Sequence, residues 1–168
     1  DSYAALLDHL QPHHLVGLTA TPERADGLDV SRWFGGRLAV ELRLWDALEQ
    51  GLLAPFHYFG IHDDIDLRQI PWRRGTGYDV EALTGVYTAT TLWASKVIQA
   101  VSDKVGDPSR MRALGFCVSI AHANFMAECF NAAGFTTRAV TAATPAHGRR
   151  EALVALRDGR LQAIFTVD

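Results

Sequence analysis

Two hydroxyls stand two residues apart in Gly17-Leu18-Thr19-Ala20-Thr21-Pro22-Glu23-Arg24, directly behind the apolar run at residues 15–18. On an extended chain Thr19 and Thr21 project to the same side, where both can hydrogen-bond one neighbouring acidic or phosphate-bearing loop. Read blandly, the same pair is a strand-end couple capping the next helix. Other groups with chemical potential are sparser. His9, His13 and His14, or Cys117, His122 and Cys129, lack a four-ligand set at zinc spacing. Asp63, Asp64 and Asp66 form half a calcium loop without its Gly and distal Glu, which predicts a solvated turn. Trp33, Trp45, Trp72 and Trp93 offer stacking surfaces for bases, yet isolated tryptophans read first as core or interdomain packing. Arg73-Arg74 and Arg149-Arg150 are basic pairs that can approach a phosphate backbone or simply stay solvated.

The elements that must position these groups follow from periodicity and breakers. Helical spacing of Leu6, Leu7 and Leu10 before Pro12 predicts a helix over residues 2–10, followed by a buried strand over 15–18 and a loop over 19–27. Alternation predicts a half-buried strand over 38–44, then a helix over 45–50 closed by Gly51, and a further strand over 56–61. Residues 62–66 and 71–77 read as connectors. Helices are expected over 79–87 and 91–105, the second with Ala94, Val97, Ile98, Val101 and Val105 on one face. Strands over 112–118, 136–141 and 161–167 then alternate with helices over 119–133, ended by Gly134, and 149–158, ended by Gly159. That order implies right-handed βαβ crossovers and a parallel sheet, an α/β fold.

At 168 residues and a formal net charge of −3, the chain has room for one ordinary domain or two incomplete ones. It lacks the global basic field of a small autonomous DNA-binding domain, so any nucleic-acid contact has to be local. No apolar run reaches a membrane-span length of roughly 18 to 20 residues and no signal peptide is evident. A cytoplasmic location with no membrane partner is the expectation. Two cysteines outside a Cys-x-x-Cys arrangement read as reduced, buried thiols. Starting without Met and stopping within an apolar β-like run, the chain reads as an excised piece of something larger.

Thr19-Ala20-Thr21-Pro22-Glu23-Arg24 after an apolar strand resembles motif III of the superfamily 2 DEAD/DEAH-box helicases. Its extended form with Pro, Glu and Arg resembles the branch of the type I and type III restriction translocases and the XPB-like and UvrB-like proteins. Residues 41–55, Glu-Leu-Arg-Leu-Trp-Asp-Ala-Leu-Glu-Gln-Gly-Leu-Leu-Ala-Pro, are similar to the passage from the first RecA-like domain into the second. Gly115-Phe116-Cys117-Val118-Ser119-Ile120-Ala121-His122-Ala123 is similar to motif IV, and Ile164-Phe165-Thr166-Val167-Asp168 to the opening of motif V.

The resemblance implies a partial P-loop NTPase fold of RecA-like parallel sheets. Residues 1–50 would end the first helicase domain and residues 51–168 begin the second. It implies that Thr19, Ala20 and Thr21 couple hydrolysis to movement, with neither threonine a nucleophile, and that Arg24 pairs with a carboxylate or faces the interdomain cleft. Ser119, His122 and Thr166 fall on the nucleic-acid side, where Ser119 can cap its helix and offer backbone N–H groups to a phosphate. The parent would be an ATP-dependent DNA helicase or translocase using ATP and Mg, with DNA and the remaining helicase motifs of its own polypeptide as partners. The chain itself has no G-x-x-x-x-G-K-[ST] loop, no Asp-Glu-x-His box and no Arg-rich motif VI. No cofactor, no metal and no ATPase activity are therefore expected of it alone. Two rivals remain: a non-catalytic interaction module on a helicase scaffold, and an unrelated Rossmann-like nucleotide-binding enzyme, which would need a G-x-G-x-x-G turn that is missing.

Overall fold

The computed structural model describes residues 2–20, 30–62 and 65–167. The chain divides into two compact units, Asp1–Tyr58 and Phe59–Asp168.

In the first unit, helix α1 (Ser2–Leu10) ends as its leucine spacing and Pro12 dictate. Gln11 takes a left-handed φ of 39° and gives its N–H to the Leu7 carbonyl at 2.9 Å. A 3₁₀ turn covers Val30–Phe34 and helix α2 covers Leu44–Glu49. Gly51, at φ 69°, turns the chain so that Leu52 and Leu53 return N–H groups to the carbonyl of buried Ala47. The strands expected over 15–18 and 38–44 do not form. Val16 and Leu18 are 84% and 96% exposed. Alternating or continuous apolar residues mark a face, but a strand exists only where a neighbour takes its backbone hydrogen bonds, and no described residue of this unit pairs with these runs. The strand expected over 56–61 is likewise absent.

The second unit holds the regular part of the fold. A short antiparallel pair, β1 (Trp72–Arg73) and β2 (Gly77–Tyr78), replaces the connector expected over 71–77. Gly75 and Gly77, at φ 92° and 80°, supply its turn. Asp79 then caps helix α3 (Val80–Thr88) by accepting the Ala82 N–H at 2.9 Å. Helix α4 (Leu92–Lys104) buries Ala94, and Val97, Ile98, Val101 and Val105 pack on the same core, the face expected from their spacing. Strand β3 (Ala113–Cys117), helix α5 (Ile120–Ala132), strand β4 (Thr137–Ala139), helix α6 (Ala146–Asp158) and strand β5 (Ala163–Val167) alternate as expected. Helix α6 begins three residues before the expected start, directly after Pro145, and Gly159 closes it at φ 83°.

All pairings in the larger sheet are parallel, in the order β3-β5-β4. The last strand thus inserts between the first two, with Ala163 opposite both Ala113 and Thr137. Successive residues of β5 serve opposite faces. Ala163 and Phe165 join Met126, Ala127 and Phe130 of α5 and Ala94 of α4, whereas Ile164 packs with Val140 and Ala152 of α6. On β3 the α6 side stays open, with Leu114 and Phe116 55% and 67% exposed. Of the tryptophans assigned to packing, Trp45 and Trp72 are instead exposed.

Phe165 sits at the centre of the larger core. Its ring lies 5.0 Å from that of Phe130, and Phe130 lies 5.3 Å from Phe135. Opposite Phe165 in register is Gly115, whose missing side chain leaves room for the phenyl ring. A Cβ there would collide with Phe165 Cδ1 and Cε1. Gly115→Ala is expected to destabilise the fold by about 1–3 kcal/mol, as overpacked cores do. The double variant Gly115→Ala/Phe165→Leu should recover part of that loss in urea denaturation, and an additive double variant would contradict this account of the contact.

Candidate functional site

The carboxyl ends of parallel strands are where open α/β sheets place ligands. Here that edge holds the turn from β3 into α5, the turn from β4 towards α6, and the end of β5.

Ser119 leaves β3 with extended backbone, φ −156° and ψ 168°, and its hydroxyl accepts the His122 N–H at 3.1 Å, capping α5. The Thr84 hydroxyl of α3 lies 2.8 Å from the same oxygen. Ser119 is half-buried, and behind it His122 is only 6% exposed. The His122 Nδ1 accepts the Val118 N–H at 3.4 Å, a long bond, which assigns the ring proton to Nε2. Nε2 has no hydrogen-bond partner among the described residues. The ring stacks on Tyr87 at 5.1 Å with planes 5° apart, and Tyr87 leans on Trp93 at 6.2 Å. Burial pushes the His122 pKa down, so the folded protein holds it neutral.

Thr166 lies one strand over, half-buried on the α6 face. It lines a cleft of about 450 Å³ together with Leu114, Thr141, Arg149, Leu153 and Ile164. A short turn shapes the cleft's polar end: the Thr141 N–H goes to the Thr144 hydroxyl at 2.9 Å, and the Thr141 hydroxyl accepts the Ala143 N–H at 3.3 Å. From the first turns of α6, Arg149 reaches back and donates Nη2 to the Thr141 carbonyl at 3.2 Å. No carboxylate among the described residues pairs with this guanidinium, whereas Arg138 on β4 has Glu151 at 3.6 Å. Two threonines and an unneutralised, exposed guanidinium at a sheet's carboxyl edge form a setting for an anion.

Ser119, His122 and Thr166, the residues expected on the nucleic-acid side, all lie in the second unit, Ser119 and His122 at the start of α5 and Thr166 near the end of β5. Thr19 and Ala20 are exposed and lie in the other unit, outside any helix or strand, while Thr21 and Arg24 fall outside the described residues, as do Asp63 and Asp64. Three contributors were missed from sequence: Thr84 and Tyr87, which carried no signal because they lie 35 residues away in the chain from Ser119 and His122, and Thr141. For Thr141 the pattern Thr141-Ala142-Ala143-Thr144-Pro145 was a readable turn signal. Of the two cysteines expected to be buried, Cys117 is buried and Cys129 only half-buried; burial raises the Cys117 thiol to about 11, and burial and the Glu128 carboxylate raise that of Cys129. No three His, Cys, Asp or Glu side chains converge among the described residues in a way that would hold a metal ion. Nor is any helix among them long and apolar enough to cross a membrane.

No family model matches the chain, and no curated protein matches it.

His122 also sets a pH dependence. Its folded pKa lies below the unfolded value of about 6.5, so the unfolded chain takes up the proton first. The neutral ring's contribution to stability is fully present above about pH 6.5 and is lost as the pH falls towards the folded pKa. The thermal midpoint is expected to fall between pH 7.5 and 5, and the His122→Asn variant should show a smaller fall across the same window.

Proposed function

We propose that the chain is an internal part of a superfamily 2 DNA helicase or translocase, with RecA-like units, and that the carboxyl edge of its parallel sheet is a segment of the nucleic-acid groove. The observation that carries this reading is that Thr166 and Arg149, which no carboxylate among the described residues neutralises, line one cleft at the sheet's carboxyl edge, with Ser119 starting α5 from the end of the neighbouring strand β3. Each is suited to a phosphate backbone in a different way. Ser119 stands at a helix N-terminus, where backbone N–H groups and the helix dipole favour an anion. Thr166 offers a hydroxyl from a strand end, and Arg149 offers the charge. His122 serves the edge from inside by holding the Val118 N–H and the first turn of α5.

In this reading residues 1–50 end the first helicase domain, and Thr19, Ala20, Thr21 and Arg24 are its coupling segment. The exposed apolar runs at 15–18 and 38–44 suit sheet strands whose neighbours lie elsewhere in the parent. ATP and Mg belong to the parent. The residues here do not fit them, since neither a phosphate loop in the sequence nor a converging set of metal ligands among the described residues is present. The isolated chain should release no phosphate from ATP above a buffer control, with or without DNA.

Binding to a fluorescein-labelled oligothymidylate, followed by anisotropy across a salt series, tests the groove. Arg149→Ala should weaken binding and reduce the slope of log K against log salt by about 0.7, the value for one single-strand phosphate contact. An unchanged slope with unchanged affinity would remove Arg149, and with it the main support for the reading.

A further inference from the structure

We infer that Thr84 is a latch on the Ser119 hydroxyl, holding the one proton that Ser119 would otherwise give to a phosphate oxygen. The inference rests on the reading of this edge as a nucleic-acid groove and adds a regulatory contact to it.

The argument is a count of protons. A hydroxyl has one proton and two lone pairs, whereas a carbonyl oxygen only accepts. The Thr84 hydroxyl lies 2.7 Å from the Val80 carbonyl one helical turn back, and 2.8 Å from Ser119 Oγ. Its single proton satisfies the carbonyl, because an oxygen that close to a carbonyl without a proton between them would be repelled. The proton between the two hydroxyls is then the one on Ser119. Ser119 Oγ meanwhile accepts the His122 N–H at 3.1 Å. A directional chain results, running from the His122 amide through Ser119 and Thr84 to the Val80 carbonyl.

In that state Ser119 has nothing to donate. A phosphate oxygen is an acceptor and would meet a lone pair on Ser119 Oγ. Rotating the Ser119 O–H away from Thr84 frees the donor and leaves the His122 N–H bond in place, because that bond uses a lone pair of the oxygen. The latch therefore opens by rotation about one C–O bond, with the α5 cap intact. Its cost is the loss of one part-buried hydrogen bond between α3 and α5, and nucleic acid must offset that cost before it gains the contact. Thr84 is a positioning residue in this scheme and does not touch the ligand.

The test is a comparison of oligothymidylate affinities by anisotropy at fixed low salt, using the full chain. Thr84→Val keeps the shape and removes the acceptor, and should bind about fivefold more tightly, the equivalent of one neutral hydrogen bond. Thr84→Ser restores the hydroxyl and should bind as the parent chain does. Ser119→Gly removes the donor while sparing most of the capping; it should bind more weakly, and adding Thr84→Val to it should change nothing further. Thermal midpoints confirm that each variant is folded, and Thr84→Ala replaces Thr84→Val if the valine variant is not. If Ser119→Gly weakens binding and neither Thr84 variant strengthens it, the latch is wrong and the groove stands. If Ser119→Gly binds as the parent chain does, Ser119 is no phosphate contact, and the latch falls with it.

Discussion

The close approach of the Phe165 ring to Gly115 governs the second unit. β5 is the last strand in sequence and the middle one in space, so it must fit between two strands already linked by α5. Gly115 leaves the space that Phe165 fills, and Phe165 carries the contact across to Phe130 on α5. A neighbouring residue completes the insertion. Gln162, just before β5, accepts the Thr136 N–H at 2.7 Å through its side chain and donates Nε2 to the Pro108 carbonyl at 2.7 Å. It thereby ties together the segments that lead into all three strands. At the other side of β4, Asn131 exchanges two hydrogen bonds with the Thr137 backbone at 2.8 and 3.2 Å, fixing the turn out of α5. The sheet's register is therefore held at its amino ends by amide side chains and in its middle by an aromatic ring. Its carboxyl edge is left for polar residues.

That division explains why the candidate residues share one edge. With Cys117 opposite Val167, the residues that follow β3 and those that end β5 lie side by side. Ser119 must adopt extended backbone to leave β3 and must cap α5, so its hydroxyl is held near the sheet edge. Tyr87 and His122 form a stacked wall behind it, which ties α3 to the first turn of α5. Burying an imidazole whose Nε2 has no partner among the described residues has a cost, and the protein bears it where the helix start must be fixed.

Local signals made most of the second unit readable from sequence. The helical face of Ala94, Val97, Ile98, Val101 and Val105, the cap at Ser119 and the stops at Gly134 and Gly159 all act within a few residues of the chain, and each marks the element it suggests. The runs at 15–18, 38–44 and 56–61 misled because alternation records which side of a strand would be buried and says nothing about whether a neighbouring strand is present. The pair β1 and β2 escaped notice for the opposite reason: two residues per strand are too few to show any period. Strand order was out of reach too, since βαβ alternation fits several orders and the contact of Gly115 with Phe165, which goes with the order β3-β5-β4, joins residues 50 apart in the chain. At the carboxyl edge, the places of Ser119 as a helix cap and Thr166 near a strand end were legible from local pattern. Thr84 was not, because its partner is 35 residues away.

The chemistry of the edge bears on how it would hold a polyanion. A chain with a net charge of −3 does not attract nucleic acid by its overall field, and among the described residues Arg149 is the one cation lining the cleft. Long-range attraction there is weak, and most of the discrimination falls to short-range donors: hydroxyls, helix N–H groups and one guanidinium fork. Such donors differ in how they can be controlled. A guanidinium keeps its charge at every accessible pH and turns its donors towards any anion in reach. A hydroxyl has a single proton, which a neighbouring oxygen can hold or release by rotation about one bond. In the proposed groove, Arg149 would supply a constant attraction, while Ser119 supplies a contact whose strength depends on where α3 places Thr84. Any motion of α3 relative to α5 would then change the grip on a phosphate without rearranging the sheet.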